Sequence, residues 1–118
     1  FQDRGGAGTW QQRLSPMFQG LHLLLGYATT SWDSSGEGAA FATYSMIGAF
    51  PPASSAQPSL VAAWIYTAMD NQDPTVRWGV GGVQSNTLSS LGDCLLCAER
   101  DILPTEAGFA MWRVVGQS

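Results

Sequence analysis

Apolar residues gather most densely between Leu21 and Tyr27, a run broken only by His22. An uninterrupted run of this length predicts a strand covered on both faces, as in a parallel sheet, rather than a half-solvated one. A polar loop follows, Ala28 to Gly38, and then Glu37 to Phe50, where Phe41, Tyr44, Met46 and Ile47 recur near helical spacing among alanines. Ser35 is placed to cap that helix, with Glu37 in the first turn, and Gly48 with Pro51-Pro52 to stop it. A Pro/Ser-rich connection, 51–58, leads to Ser59, a cap for a second helix over Leu60 to Asn71. There Leu60, Val61, Trp64, Ile65 and Ala68 make one apolar face, and Asp70-Asn71-Gln72-Asp73-Pro74 ends it.

Thr75 to Val83 and Phe109 to Val115 are β-branched or aromatic and predict two further strands. Gly79, Gly81 and Gly82 weaken the first of these unless a neighbour packs close to the backbone. Trp10 to Met17 predicts one or two helical turns, halted near Ser15-Pro16. Residues 1–9 predict a flexible arm, 84–92 a polar loop, and Asp93 to Arg100 a short helix or extended segment. Strands flanked by helices predict an α/β domain, and in open α/β sheets ligands sit at the loops beyond the strand ends. The loop Thr29 to Gly38 is therefore the expected site.

Composition narrows the function classes. The chain has 118 residues, enough for one domain or a fragment of one, and begins with Phe1, as a processed, trimmed or excerpted chain would. It is 45% hydrophobic and only 12% charged, with five Trp. That balance fits either a surface buried by a partner or one covered by uncharged polar residues. Net charge is −4, Lys is absent, and Arg4, Arg13, Arg77, Arg100 and Arg113 are scattered. No basic patch is available for phosphates, so neither nucleic acid nor an anionic membrane surface is an expected partner. No apolar run approaches the ~20 residues of a membrane-spanning helix.

The candidate chemistry is sparse. Cys94-x-x-Cys97 admits a redox pair or half of a zinc site, but with His22 as the single histidine the simpler reading prevails. That reading is two small buried side chains or one local disulfide. His22 could serve a cysteine nucleophile as base, yet its place in the apolar run predicts a histidine satisfied by a backbone partner. Ser31, Trp32, Asp33, Ser34, Ser35 and Glu37 cluster in the expected site loop. A carboxylate beside an exposed Trp makes a recognition pair, and the same residues make a turn bonded to its own backbone. The aspartates lack calcium-loop spacing, and Gly79-x-Gly81-Gly82 lacks a phosphate-binding fingerprint. Neither cofactor nor metal is expected.

The run from Phe18 to Thr30 resembles a strand of caspase-like proteins, in particular of a bacterial family with the caspase/gingipain-like fold. Gly36 to Phe41 entering a helix, Ala62-Ala63-Trp64 in the next, and Asp93 to Pro104 add to the likeness, which spans about residues 10 to 104. Ser31-Trp32-Asp33 and Gly38-Ala39-Ala40-Phe41 also stand in the order of the Ser-Trp-Arg loop and Gly-Ser-Trp-Phe helix start of caspase small subunits. The resemblance implies part of a three-layer sandwich with a mostly parallel sheet and flanking helices. It implies a small-subunit-like portion of a cysteine-peptidase fold, with Ser31, Trp32 and Asp33 shaping a substrate pocket. The catalytic His and Cys of that fold lie on earlier strands, and neither His22 nor Cys94 nor Cys97 matches them. A His/Cys dyad would then come from an N-terminal segment or a partner chain. Asp33 stands where caspases carry the Arg that binds acidic substrate, which favours a basic or neutral residue instead. The alternative expectation is a structural subunit of a homo-oligomer or filament, suggested by the low charge and the five Trp.

Overall fold

The computed structural model describes residues 7–47, 58–97 and 100–118. The expected stops at Gly48 and Pro51-Pro52, the last residues of the helix expected to reach Phe50, most of the 1–9 arm and most of the 51–58 connection lie outside them. Helix α1, Trp10–Leu14, starts from a reciprocal cap: the Thr9 hydroxyl accepts from the Gln12 backbone N–H while the Gln12 side chain accepts from the Thr9 N–H. Pro16 does not end the helical path. It stands in the first turn of a 3-10 segment, Ser15–Phe18, where a missing N–H leaves nothing unsatisfied. That turn delivers Phe18 to the core, 1% exposed.

Strand β1, Leu23–Tyr27, leads to α2, Glu37–Ile47, and α3, Leu60–Asn71. Gly36, rather than Ser35, holds the cap position of α2, its carbonyl accepting the first helical bond from Ala40 N–H. Ser59 caps α3 as expected, accepting from Ala62 N–H. Strands β2, Arg77–Gln84, and β3, Ala110–Gln117, follow, with a 3-10 turn at Ser90–Gly92 between them.

The sheet corrects the sequence-based fold class. Its order is β1-β2-β3, and both pairings are antiparallel, Leu25 opposite Val80 and Val80 opposite Val114. A caspase-like three-layer sandwich with a mostly parallel sheet is therefore not the architecture of the described residues. The reason lies in the connection. Glu37 at the start of α2 meets Gln72 just past α3, and Phe41 meets Trp64, so the two helices run antiparallel. An even number of such helices returns the chain to the end of the sheet it left, and the next strand must run backwards. A single crossover helix would have made the pair parallel.

The apolar run does mark a strand with two covered faces, but it carries no information about direction. On one face, Leu24 joins Leu14, Leu88, Phe109 and Met111 around the buried cluster of Phe18, Val83 and Ile102. On the other face Tyr27 packs against Trp64 of α3, with ring centroids 5.2 Å apart. Every residue of β1 is half-buried, as befits an edge strand.

Two tryptophans of the sheet lie over glycines directly across from them. Trp112 covers Gly82, and Trp78 covers Gly116. A side chain at either glycine would occupy the ring's place. The indole of Trp112 then reaches the Val83 carbonyl (3.2 Å) and that of Trp78 the Gln117 carbonyl (3.1 Å). The glycines that weaken β2 as a sequence are thus offset, at Gly82, by close aromatic packing.

Beyond the sheet, the Glu106 carboxylate ties the segment 100–106 together. It accepts from both terminal nitrogens of Arg100 (2.9 and 2.7 Å) and from the Leu103 N–H. The guanidinium, and then the Leu103 N–H, hold this carboxyl down from an ordinary 4.5 to about 2. A depressed carboxylate stabilises the fold above its unfolded value and ceases to do so as pH falls through its folded one. The tie is expected to persist at pH 4 and to be lost near pH 2. A carboxyl-detected NMR titration checks this: a Glu106 midpoint above pH 4 would contradict the pairing.

Candidate functional site

The chain leaves β1 at Tyr27 and stays bound to the sheet for two residues. Ala28 N–H donates to the Arg77 carbonyl (2.7 Å), and Arg77 N–H donates to the Thr29 hydroxyl (2.9 Å). It then turns away towards α2. Gln72, at the C-terminal end of α3 and buried, fixes the turn. Its amide oxygen accepts from Trp32 N–H (2.9 Å), and its amide nitrogen donates to the Trp32 carbonyl (2.9 Å). One side-chain amide thus satisfies both backbone groups of Trp32, as a neighbouring strand would. The same nitrogen donates to Glu37 Oε2 (2.8 Å), and the Tyr27 hydroxyl donates to Glu37 Oε1 (2.8 Å).

Held this way, the loop and the two helices enclose a cleft of about 450 Å³. Tyr27, Phe41 and Trp64 give it aromatic walls, Trp32 projects at its rim, and Asp33 and Glu37 supply two carboxylates. Trp64 is the fixed centre of this group. Its indole N–H donates to the Gly26 carbonyl (3.3 Å), Tyr27 tilts against one side, and Phe41 meets it edge-on at 5.9 Å. Trp32 is 70% exposed. Burial and the Glu37 carboxylate push the Tyr27 hydroxyl well above its ordinary value, so it stays protonated and a donor. Among the described residues the Asp33 carboxylate takes no hydrogen bond, and no basic residue lines the cleft.

Ser31, Trp32 and Asp33, singled out from the sequence, line this cleft together with Ser34 and Glu37. Gln72, Tyr27, Phe41 and Trp64 were not part of that reading. Phe41 and Trp64 carried the same helical spacing as core residues, and Gln72 stood in a stretch that signalled only a helix end.

His22 and the two cysteines lie elsewhere, at the opposite ends of β1 and α3. The His22 ring is held between two carboxylates, with Nδ1 2.9 Å from Asp93 and Nε2 3.2 Å from Asp101. The expected backbone partner is replaced by two acidic side chains more than 70 residues away in sequence. Cys94 and Cys97 form a disulfide, one of the two alternatives favoured from the sequence. It closes a turn beside the start of α3, where Cys94 bridges to Ser59 and Leu60 N–H donates to the Asp93 carbonyl. Among the described residues no group of three or more His, Cys, Asp or Glu is arranged to hold a metal, and no helix is long and apolar enough to cross a membrane.

No curated protein and no solved structure matches the chain. Residues 1–114 match a family described as a domain of unknown function, DUF6345. That match covers nearly the whole sequence and includes every residue of the cleft, and the chain belongs to the DUF6345 family.

Proposed function

We propose that this chain is a recognition module whose cleft at the end of β1 takes a positively charged group of a peptide or small ligand. One observation carries the reading: four aromatic side chains and two carboxylates line a single cleft that contains no basic residue. Aromatic faces attract cations through their quadrupoles, and carboxylates with low-dielectric walls add to the same field. An acidic ligand would meet two like charges with nothing to offset them. The preference for a basic or neutral group that the caspase comparison implied at Asp33 goes with that comparison, and the present reading stands on Asp33, Glu37 and the ring walls of the cleft itself. The expectation of an outside His/Cys dyad rested on the caspase-like sheet and is not carried forward.

Binding of N-acetyl lysine amide, arginine amide and glutamate amide, followed by NMR shifts of the Trp32 and Trp64 indole N–H groups, tests this. The two basic ligands are expected to shift both signals, and the glutamate amide neither. Asp33→Asn and Trp32→Ala are each expected to weaken binding by about threefold to thirtyfold, the equivalent of ~0.6–2 kcal/mol for one cation contact. Both positions are exposed, so the variants should fold. Equal binding of the glutamate amide would refute the proposal.

A further inference from the structure

The two carboxylates of the cleft are not equally available, and the difference bears on which cation fits. Both oxygens of Glu37 already accept hydrogen bonds from within the protein, Oε1 from Tyr27 and Oε2 from Gln72, each at 2.8 Å. Glu37 therefore contributes charge, and a ligand bonded to it would displace an internal donor. Asp33 stands differently. Among the described residues its carboxylate takes no hydrogen bond, and it lines the cleft together with the exposed ring of Trp32. Ser31 and Ser34 add two hydroxyl acceptors to the same loop. A ligand thus meets one carboxylate with both oxygens to offer, one large flat ring and two hydroxyls.

A guanidinium matches this set better than an ammonium does. It is planar, and two of its N–H groups run parallel at the spacing of carboxylate oxygens. Its other N–H groups can reach hydroxyl acceptors while its face lies on a ring. It is weakly hydrated, so contact with the aromatic walls costs it little. An ammonium finds acceptors here too, but it is a compact, strongly hydrated point charge. It makes a single bond where the fork makes two, and it gives up more water against Tyr27, Phe41 and Trp64.

We infer that the cleft selects a guanidinium over a primary ammonium, with Asp33 taking the two parallel N–H groups and Trp32 the flat face. This inference rests on the reading that the cleft takes a cation, and goes beyond it by naming the group and the residue that chooses it. An arginine side chain of a peptide and free arginine both carry that group.

The experiment titrates the N-acetyl amides of arginine, lysine and citrulline against the whole chain, the citrulline amide being a neutral analogue of the arginine one. The Trp32 and Trp64 indole resonances report binding. The arginine amide is expected to bind about fivefold more tightly than the lysine amide, and the citrulline amide more weakly than either. Asp33→Asn should cut the arginine-over-lysine margin to about twofold or less, because Glu37 and the rings serve both cations. Methylguanidinium and tetramethylguanidinium give a second measurement that needs no variant. The tetramethyl ion keeps the charge, but both its N–H groups sit on one nitrogen, so it should bind about threefold more weakly than methylguanidinium. If the lysine amide binds as tightly as the arginine amide while the citrulline amide does not, the guanidinium preference is overturned and cation recognition stands. A margin unchanged in Asp33→Asn, or a tetramethyl ion that binds as tightly as methylguanidinium, overturns the part given to Asp33. If the citrulline amide binds as tightly as the arginine amide, or no ligand shifts either indole, cation recognition falls and this inference with it. Free arginine then separates the two sources. Its own carboxylate would enter the field of Asp33 and Glu37, so the capped residue is expected to bind more tightly, and the reverse order would assign the site to the free amino acid.

Discussion

Gly82→Ala is expected to destabilise the protein by about 3 kcal/mol, the upper end of what one extra methyl costs in a well-packed interior. A Cβ at this position runs into the Ser90 hydroxyl and the Trp112 indole at once. Neither can yield easily. Ser90 is fully buried, and its hydroxyl accepts from Val83 N–H and donates to the Val83 carbonyl, both at 3.0 Å. Moving it exposes two backbone groups of the central strand to an apolar surrounding, where each unsatisfied group costs about 1–3 kcal/mol. The Trp112 ring is held by its own bond to the same carbonyl. Urea unfolding followed by far-UV circular dichroism measures the loss. Gly38→Ala is the control: nothing lies within 4 Å of the added methyl, and alanine in a helix should raise stability by ~0.5–1 kcal/mol. Combining Gly82→Ala with Trp112→Leu should cost about 1 kcal/mol less than the sum of the two, because they compete for one volume. A loss below about 0.5 kcal/mol for Gly82→Ala would mean that the ring and the hydroxyl are free to move.

The position of Gly82 shows what the sequence holds and what it withholds. Each strand and helix is signalled locally: α3 by its apolar face and Ser59, β2 by Val80 and Val83, β1 by its leucines. Those signals are short-range, because propensity, caps and periodicity act within a few residues. The direction of β2 relative to β1 depends on how many helices intervene and how they pack, and no stretch of sequence states that. The closeness of Trp112 to Gly82 is likewise a cross-strand fact, fixed by a register that pairs residues 30 positions apart in sequence. The site divides in the same way. Ser31, Trp32 and Asp33 form a visible cluster because loop residues stand out from the apolar pattern around them. Phe41 and Trp64 do not, since a ring lining a cleft has the same helical spacing as a ring in a core. His22 sits against Asp93 and Asp101 because two distant loops converge on it, and the apolar run that surrounds it pointed to a backbone partner instead.

Gln72→Leu should separate the architecture of the cleft from its chemistry. Leucine keeps most of the volume at a position that is 7% exposed, so core packing is preserved. Three hydrogen bonds disappear, two to the backbone of Trp32 and one to the Glu37 carboxylate. Water can replace the two at Trp32 once the loop swings out, and Tyr27 still serves one oxygen of Glu37. The net loss is therefore expected near 2 kcal/mol, about the value of one bond to a charged group plus a fraction of the others. Binding of a cation should suffer more, by at least tenfold, since the loop carrying Trp32 and Asp33 must then be ordered by the ligand itself. Gln72→Glu should be worse than Gln72→Leu in both respects at neutral pH. It removes the donor that Glu37 and the Trp32 carbonyl share, and it sets a second carboxylate against the first. Hydrogen exchange at the Trp32 amide distinguishes the clamp from a general weakening. In the unmodified protein this N–H should exchange slowly for a residue on an exposed loop. In Gln72→Leu it should exchange as fast as its exposed neighbours, while the β2 amides keep most of their protection. A Trp32 amide equally protected with and without Gln72 would show that the loop holds its shape by other means, and that the aromatic rim of the cleft does not depend on α3.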